Sequence, residues 1–147
     1  MSSEEDHRYM GAALEEARRA AAEGEVPVGA VVVCAGRIIG RGRNLTERLS
    51  DVTAHAEIQA ITAAAATLGG KYLPECTLYV TVEPCLMCAG AIAWAQVQRV
   101  VIGTPDPKRG YTSCTARSPF HPKCIVTTGV RSDECRELMQ TFFRQRR

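Results

Sequence analysis

From Ser3 to about Glu23 the apolar residues Met10, Leu14, Ala17 and Ala21 recur every three or four positions among charged ones, the period of an amphipathic helix. Ser2 and Glu5 have the spacing of a capping box at its start, and Gly24 supplies its stop. The pattern then changes. Val26 to Cys34 is an unbroken apolar, β-branched run, Ala35-Gly36 has turn chemistry, and Arg37 to Gly42 resumes an extended pattern, so the pair reads as a β-hairpin. A polar loop from about Asn44 to Val52 leads into an alanine-rich segment, near His55 to Leu68, that reads as a helix ended by Gly69-Gly70. Thr77 to Val82 reads as a strand, Cys85 to Ala95 as a helix, Arg99 to Gly103 as a strand and Ser132 to Arg146 as a last helix, with an irregular stretch from Thr104 to Lys123. Strands alternating with helices after a hairpin predict an α/β sandwich on a mixed sheet.

Length and composition narrow this only a little. At 147 residues, 46% hydrophobic and 23% charged, residues 1–147 fit one globular domain, and no second domain is invoked. The opening MSSEEDHRYM lacks the apolar segment of an export signal, and no apolar run approaches the ~20 residues that span a bilayer. A soluble, cytoplasmic protein with no membrane partner is the expectation. Seven cysteines are many, but the number is odd and no export signal precedes them, so reduced thiols are expected, two of them metal-bound, rather than a disulfide framework. Net charge is +2 but uneven: residues 108–147 carry nine basic and three acidic side chains. A basic last quarter can attract nucleic-acid phosphates, and it can equally be the solvated face of an Arg-rich helix.

The chemistry concentrates in two short segments, Thr53-Ala54-His55-Ala56-Glu57 and Glu83-Pro84-Cys85-Leu86-Met87-Cys88. In the second, two cysteines three apart share a helix face, and a place in the first turn lets the helix dipole favour the thiolates that bind zinc. Pro84 suits the start of a helix because it has no N–H to leave unpaired. In the first, His55 offers an imidazole. Three protein ligands leave the fourth tetrahedral position to water, the mark of a catalytic zinc site. Glu57 then serves as the carboxylate that accepts a proton from water and delivers it to a leaving amine. Two residues apart in a regular helix, His55 and Glu57 would point apart, so His55 is expected in a first, non-ideal turn. Taken alone, C-x-x-C also fits a redox pair or half of a structural zinc knuckle, with Cys76, Cys114 or Cys124 as further ligands. The conjunction of H-x-E with a later P-C-x-x-C is the more specific signal, because it is the pattern of zinc deaminases. The remaining cysteines, Cys34, Cys76, Cys114, Cys124 and Cys135, read as small core residues.

Glu25-Val26-Pro27-Val28-Gly29-Ala30-Val31, Asn44, the two segments above, Leu78 to Val82, Ala89-Gly90-Ala91, Asp133-Glu134-Cys135 and Phe142-Phe143-Arg144 closely resemble the bacterial tRNA-specific adenosine deaminases. The resemblance covers most of the chain. It implies a cytidine-deaminase-like fold, a three-layer α-β-α sandwich with a mixed five-stranded sheet. It also implies one Zn2+ per subunit on His55, Cys85 and Cys88, with Glu57 as the catalytic proton shuttle. The implied substrate is the wobble adenosine of a tRNA anticodon loop, converted to inosine by a homodimer. Asn44 would hydrogen-bond the flipped base, for which its carboxamide offers both donor and acceptor. Asp106 and Lys108, in the segment Thr104 to Gly110 that keeps the family pattern, are implied substrate contacts, as is Phe143.

Aromatic and basic residues together at the C terminus, Phe142 and Phe143 with Arg144, Arg146 and Arg147, favour RNA, although whichever phenylalanine faces inward is packing and leaves at most one for stacking. Tyr111 to Cys124 departs from the family in length and composition, near the expected mouth of the site, and Cys114 and Cys124 are read as lining that mouth. Deamination of a free base, guanine above all, is therefore the alternative activity, with Ala91-Ile92-Ala93-Trp94-Ala95 leaning that way. A partner subunit without activity is a further reading, and the intact Glu57 opposes it. A purely structural zinc domain would need a fourth cysteine at the metal.

Overall fold

In the computed structural model, which describes residues 2–146, the chain opens with α1 (Ser3–Ala22). The Ser2 hydroxyl accepts from the Glu5 N–H at 3.1 Å and the Glu5 carboxylate accepts from the Ser2 N–H at 3.3 Å, so the expected capping box closes. The hairpin follows as β1 (Gly29–Cys34) and β2 (Arg37–Arg43). Ala35 and Gly36 both take left-handed backbone, φ 51° and 74°, the two-residue turn whose twist matches the strands it joins. β1 starts later than the apolar run, because Pro27 has no N–H for a ladder and the Val28 N–H turns back to the Val26 carbonyl at 2.8 Å.

Next come α2 (Ala56–Leu68), β3 (Cys76–Val82), α3 (Leu86–Ala95), β4 (Arg99–Thr104), the single turn α4 (Tyr111–Cys114), β5 (Ile125–Thr128) and α5 (Ser132–Gln145). The sheet order is β2-β1-β3-β4-β5; β1 runs antiparallel to both neighbours, and β3, β4 and β5 are parallel. The sheet is therefore mixed and five-stranded. The hydrophobic pattern assigned four of these strands; β5 escaped it because this edge strand of four residues is largely exposed and has no alternation to read. α5 closes at Gln145, and Arg147 lies outside the described residues.

Alternate strand residues face opposite layers. Ala30, Val32, Leu78, Val80, Val100 and Ile102 pack against α2 and α3, while Val31, Val33, Tyr79 and Val101 pack against α1 and Cys135 of α5. The alanines of α2 have a steric cause. A Cβ at Gly40 or Gly42 would run into the backbone of α2 at Ala56, Ala60 and Ala64, so helix and strand touch backbone to backbone and only the smallest residues fit on either side. One charged group is tied into the core: the Asp6 carboxylate of α1 accepts from Arg99 Nη1 and Nη2 at 2.7 and 2.6 Å and from the Tyr79 hydroxyl at 2.8 Å, joining α1 to β3 and β4. Among the described residues no helix is long and apolar enough to cross a membrane.

Candidate active site

β3 ends at Val82, and the chain passes through Glu83 and Pro84 into α3. The ligand pattern sits at that junction and at the start of α2, beside the carboxyl ends of the parallel strands, where open α/β sheets place their sites. His55 and Cys85 are the N-cap residues of α2 and α3, both in extended backbone, with ψ of 158° and 171°. Each helix thus starts one residue later than its sequence pattern implies, and Pro84 precedes the cap instead of occupying the first turn. The extended conformation at His55 removes the opposition a regular helix would impose, so His55 and Glu57 both lie beside Cys85 and Cys88. Cys88 lies in the first turn of α3 and is fully buried.

His55 Nδ1 lies 3.7 Å from Cys85 Sγ and 3.5 Å from Cys88 Sγ, and the three ligand atoms fall within 4.8 Å of one another. Zinc bonds of about 2.0 Å to nitrogen and 2.3 Å to sulfur at tetrahedral angles put the two atoms about 3.6 Å apart, so the donor set has the spacing zinc needs. Among the described residues this is the only such group, and no fourth cysteine joins it. Cys76 sits at the far end of β3 opposite Cys34, Cys114 is exposed on α4, and Cys124 packs against the core. The knuckle reading therefore lacks its fourth ligand. All seven cysteines are free thiols.

The electrostatics favour a cation. The contact between the two sulfurs, with help from His55, pulls the Cys85 thiol down to about 4. The same contact and burial push Cys88 upward. His55 is raised, first by its contact with Cys85. Glu57 is 3% exposed, and burial lifts its carboxyl to about 7, near the pH at which a proton shuttle works best.

The other residues singled out from the sequence are placed less directly. Asn44 is buried at the end of β2, and its Oδ1 accepts from the Thr46 N–H at 3.2 Å. Asp106 Oδ1 accepts from the backbone N–H groups of Lys108 and Arg109 at 3.1 and 3.0 Å, so its carboxylate shapes its own loop. Lys108 is exposed. Phe142 is 7% exposed and Phe143 46%, which divides the pair into one packing residue and one exposed ring that meets it edge-on at 5.3 Å. Sequence reasoning passed over Glu25 and Glu83, two buried carboxylates beside this site. The signal was a glutamate set directly against apolar residues, as in Val82-Glu83-Pro84.

The sequence profile of the cytidine and deoxycytidylate deaminase zinc-binding region matches residues 3–104. A tRNA-specific adenosine deaminase of Agrobacterium fabrum is 46% identical over 143 residues, 95% of this chain and 94% of that one. A solved structure from a study of A-to-I editing by tRNA:A34 deaminases at the wobble position of transfer RNA superposes with a TM-score of 0.81 at 43% identity, covering 89% of this chain and 98% of that one. A guanine deaminase of Nitrosomonas europaea superposes at 0.79 with 27% identity, covering 92% of this chain and 83% of that one. With two helix caps and a first-turn thiol set at zinc-ligand spacing inside the matched region, the chain belongs to the zinc-binding cytidine and deoxycytidylate deaminase family.

Proposed function

We propose that the protein hydrolyses the wobble adenosine of a tRNA anticodon to inosine, water entering at C6 of the purine and ammonia leaving. The observation that carries this reading is the likeness to tRNA-specific adenosine deaminases along nearly the whole length of both chains, at 46% identity against 27% for the guanine deaminase. His55 through Nδ1 and the thiolates of Cys85 and Cys88 hold zinc, which when bound supplies the Lewis acidity that makes water a nucleophile near neutral pH. Glu57 takes the proton of the attacking water and returns it to the departing amine; burial keeps its carboxyl near neutrality, able to do both. Asn44 orients the extruded base, and Lys108 with Arg144 and Arg146 near the C-terminal end of α5 attracts the phosphates around it. Phe143 offers its exposed ring for stacking, and Asp106 acts through the loop it shapes.

The test is ammonia release by zinc-loaded protein on an anticodon stem-loop with a wobble adenosine, beside free guanine, adenosine and cytidine. Turnover of the stem-loop, lost by about 100-fold or more in Glu57→Gln with zinc retained, is the expected result. Turnover of guanine alone overturns it and favours the second reading, which the superposition on the guanine deaminase supports.

The chain also acts as a homodimer in this reading. Leu86, Met87 and Trp94 of α3 are exposed, Trp94 by 83%, and Leu86, Gly90 and Trp94 stand four residues apart on one stripe. Light scattering is expected to give twice the chain mass, falling to one in Trp94→Lys. A monomeric wild type overturns the dimer.

A further inference from the structure

Two loops frame the metal centre. One runs from residue 44 to residue 54 and delivers His55; the other, residues 105–110 with the first residues of α4, lies on the α3 cap, with an isolated bridge between Cys85 and Gly110 and the Tyr111 N–H donating to the Pro84 carbonyl at 2.9 Å. Each loop is fastened by one buried glutamate. Glu25, 1% exposed, accepts from the N–H of Glu47 at 3.1 Å and of Arg48 at 2.8 Å, one bond to each carboxylate oxygen. Glu83, 7% exposed, accepts from the Asp106 N–H at 3.2 Å on one oxygen, and on the other from the N–H and hydroxyl of Thr112 at 2.9 and 2.7 Å. Among the described residues neither carboxylate has a lysine or arginine within ion-pair distance. Burying an anion is costly unless its hydrogen bonds are made, and here loop donors make them all. The loops and the carboxylates therefore require each other. Gly110 belongs to the same arrangement, since a Cβ there would strike the Glu83 carboxylate.

We propose that Glu25 and Glu83 are the positioning residues of this site, each holding one framing loop in its substrate-ready form. The inference rests on the proposed function for the identity of the substrate. A glutamine fills the same volume but has one acceptor oxygen, and its NH2 must face a loop N–H that had faced an oxygen. Some molecules then hold the loop displaced, and apparent affinity falls by the fraction that remains competent. Saturating substrate restores the loop, so turnover is kept.

The experiment measures KM and kcat of zinc-loaded wild type, Glu25→Gln and Glu83→Gln on the anticodon stem-loop, with zinc content alongside. KM is expected to rise about tenfold, the factor that losing one hydrogen bond to a charged acceptor brings, with kcat within about threefold and zinc unchanged. Thr112→Val, which removes one Glu83 partner, should raise KM less, and adding it to Glu83→Gln should raise KM by less than the product of the two single effects, because both act on one contact. A lowered melting temperature with KM unmoved, or multiplied effects in the double variant, overturns the proposal. If Glu83→Gln fails to fold, Thr112→Val keeps the carboxylate and carries the same readout. A wild type inert on the stem-loop overturns the substrate reading alone, and the KM comparison on the base that it does deaminate then decides the role of the carboxylates.

Discussion

Asp6 ties α1 to β3 and β4 through a buried ion pair, and Asp6→Asn measures it at nearly constant volume. The Asp6 and Arg99 side chains are only 8% and 14% exposed, and their two short bonds form a bidentate pair on which Tyr79 also donates. Removing one charge of a buried pair costs about 3–5 kcal/mol. The amide oxygen of asparagine still accepts one of the bonds, which places the expected loss near the lower end, about 3 kcal/mol. For a domain of this size that lowers Tm by about 6–12 °C. pH supplies the decisive check. The Arg99 guanidinium holds the Asp6 carboxyl below its ordinary range, so its contribution is present above the unfolded value of about 3.9 and is lost as pH falls through the folded one. The stability gap between wild type and Asp6→Asn, from urea unfolding, should therefore be full at pH 7 and narrower at pH 3. Running both proteins with chelator at each pH removes the metal's own pH dependence from the difference. A gap below about 1 kcal/mol at pH 7, or one that fails to narrow at pH 3, would refute the reasoning.

Cys85 caps α3 without a side-chain cap bond, so Cys85→Ser should stabilise metal-free protein by about 0.5–1 kcal/mol while weakening zinc retention, read from melts with and without chelator. Equal or lower stability of the metal-free serine variant would contradict it. Phe142→Ala should cost about 3 kcal/mol of stability because the ring is packed, with Arg146 stacked 4.3 Å from its centre. Phe143→Ala should cost only about 1 kcal/mol of stability, the value of its edge-on contact with Phe142, and weaken stem-loop binding by about 1–3 kcal/mol, measured by fluorescence anisotropy. The reverse assignment of the two rings would sink both statements.

The order of elements was legible in the sequence because nearly every boundary carries local chemistry. Ser2 with Glu5, Gly24, Ala35-Gly36 and Gly69 each act through the backbone conformation or hydrogen bond they favour, and each stands where an element starts or stops. β5 was missed for a different reason: Ile125 to Thr128 are β-branched, but the run is only four residues long, follows the irregular stretch and lies exposed at the sheet edge, where the ladder to β4 holds it. The grouping of His55, Cys85 and Cys88 could be read from residue type and spacing, since few side chains serve as zinc ligands. Glu25 and Glu83 could not, because their partners are backbone N–H groups that any residue supplies, and only the folded loops aim those groups at them.

The two caps explain how so small a sheet builds a metal centre. A helix N-cap ordinarily spends its side chain on its own helix, bonding the free N–H groups of the first turn. His55 and Cys85 make no such bond, and their extended backbone turns both side chains outward, towards each other. The N–H groups of the first turn leave a partial positive charge at each helix start, which favours an anionic sulfur, and the Cys88 N–H is among the groups that lower Cys85. The cap energy forgone at the two positions is about 1 kcal/mol each, small beside the roughly 10–16 kcal/mol of a structural zinc site. A site assembled this way needs its helix starts to stay in place. β3 and the backbone contact between β2 and α2 fix the helices from behind, and the framing loops close over the front.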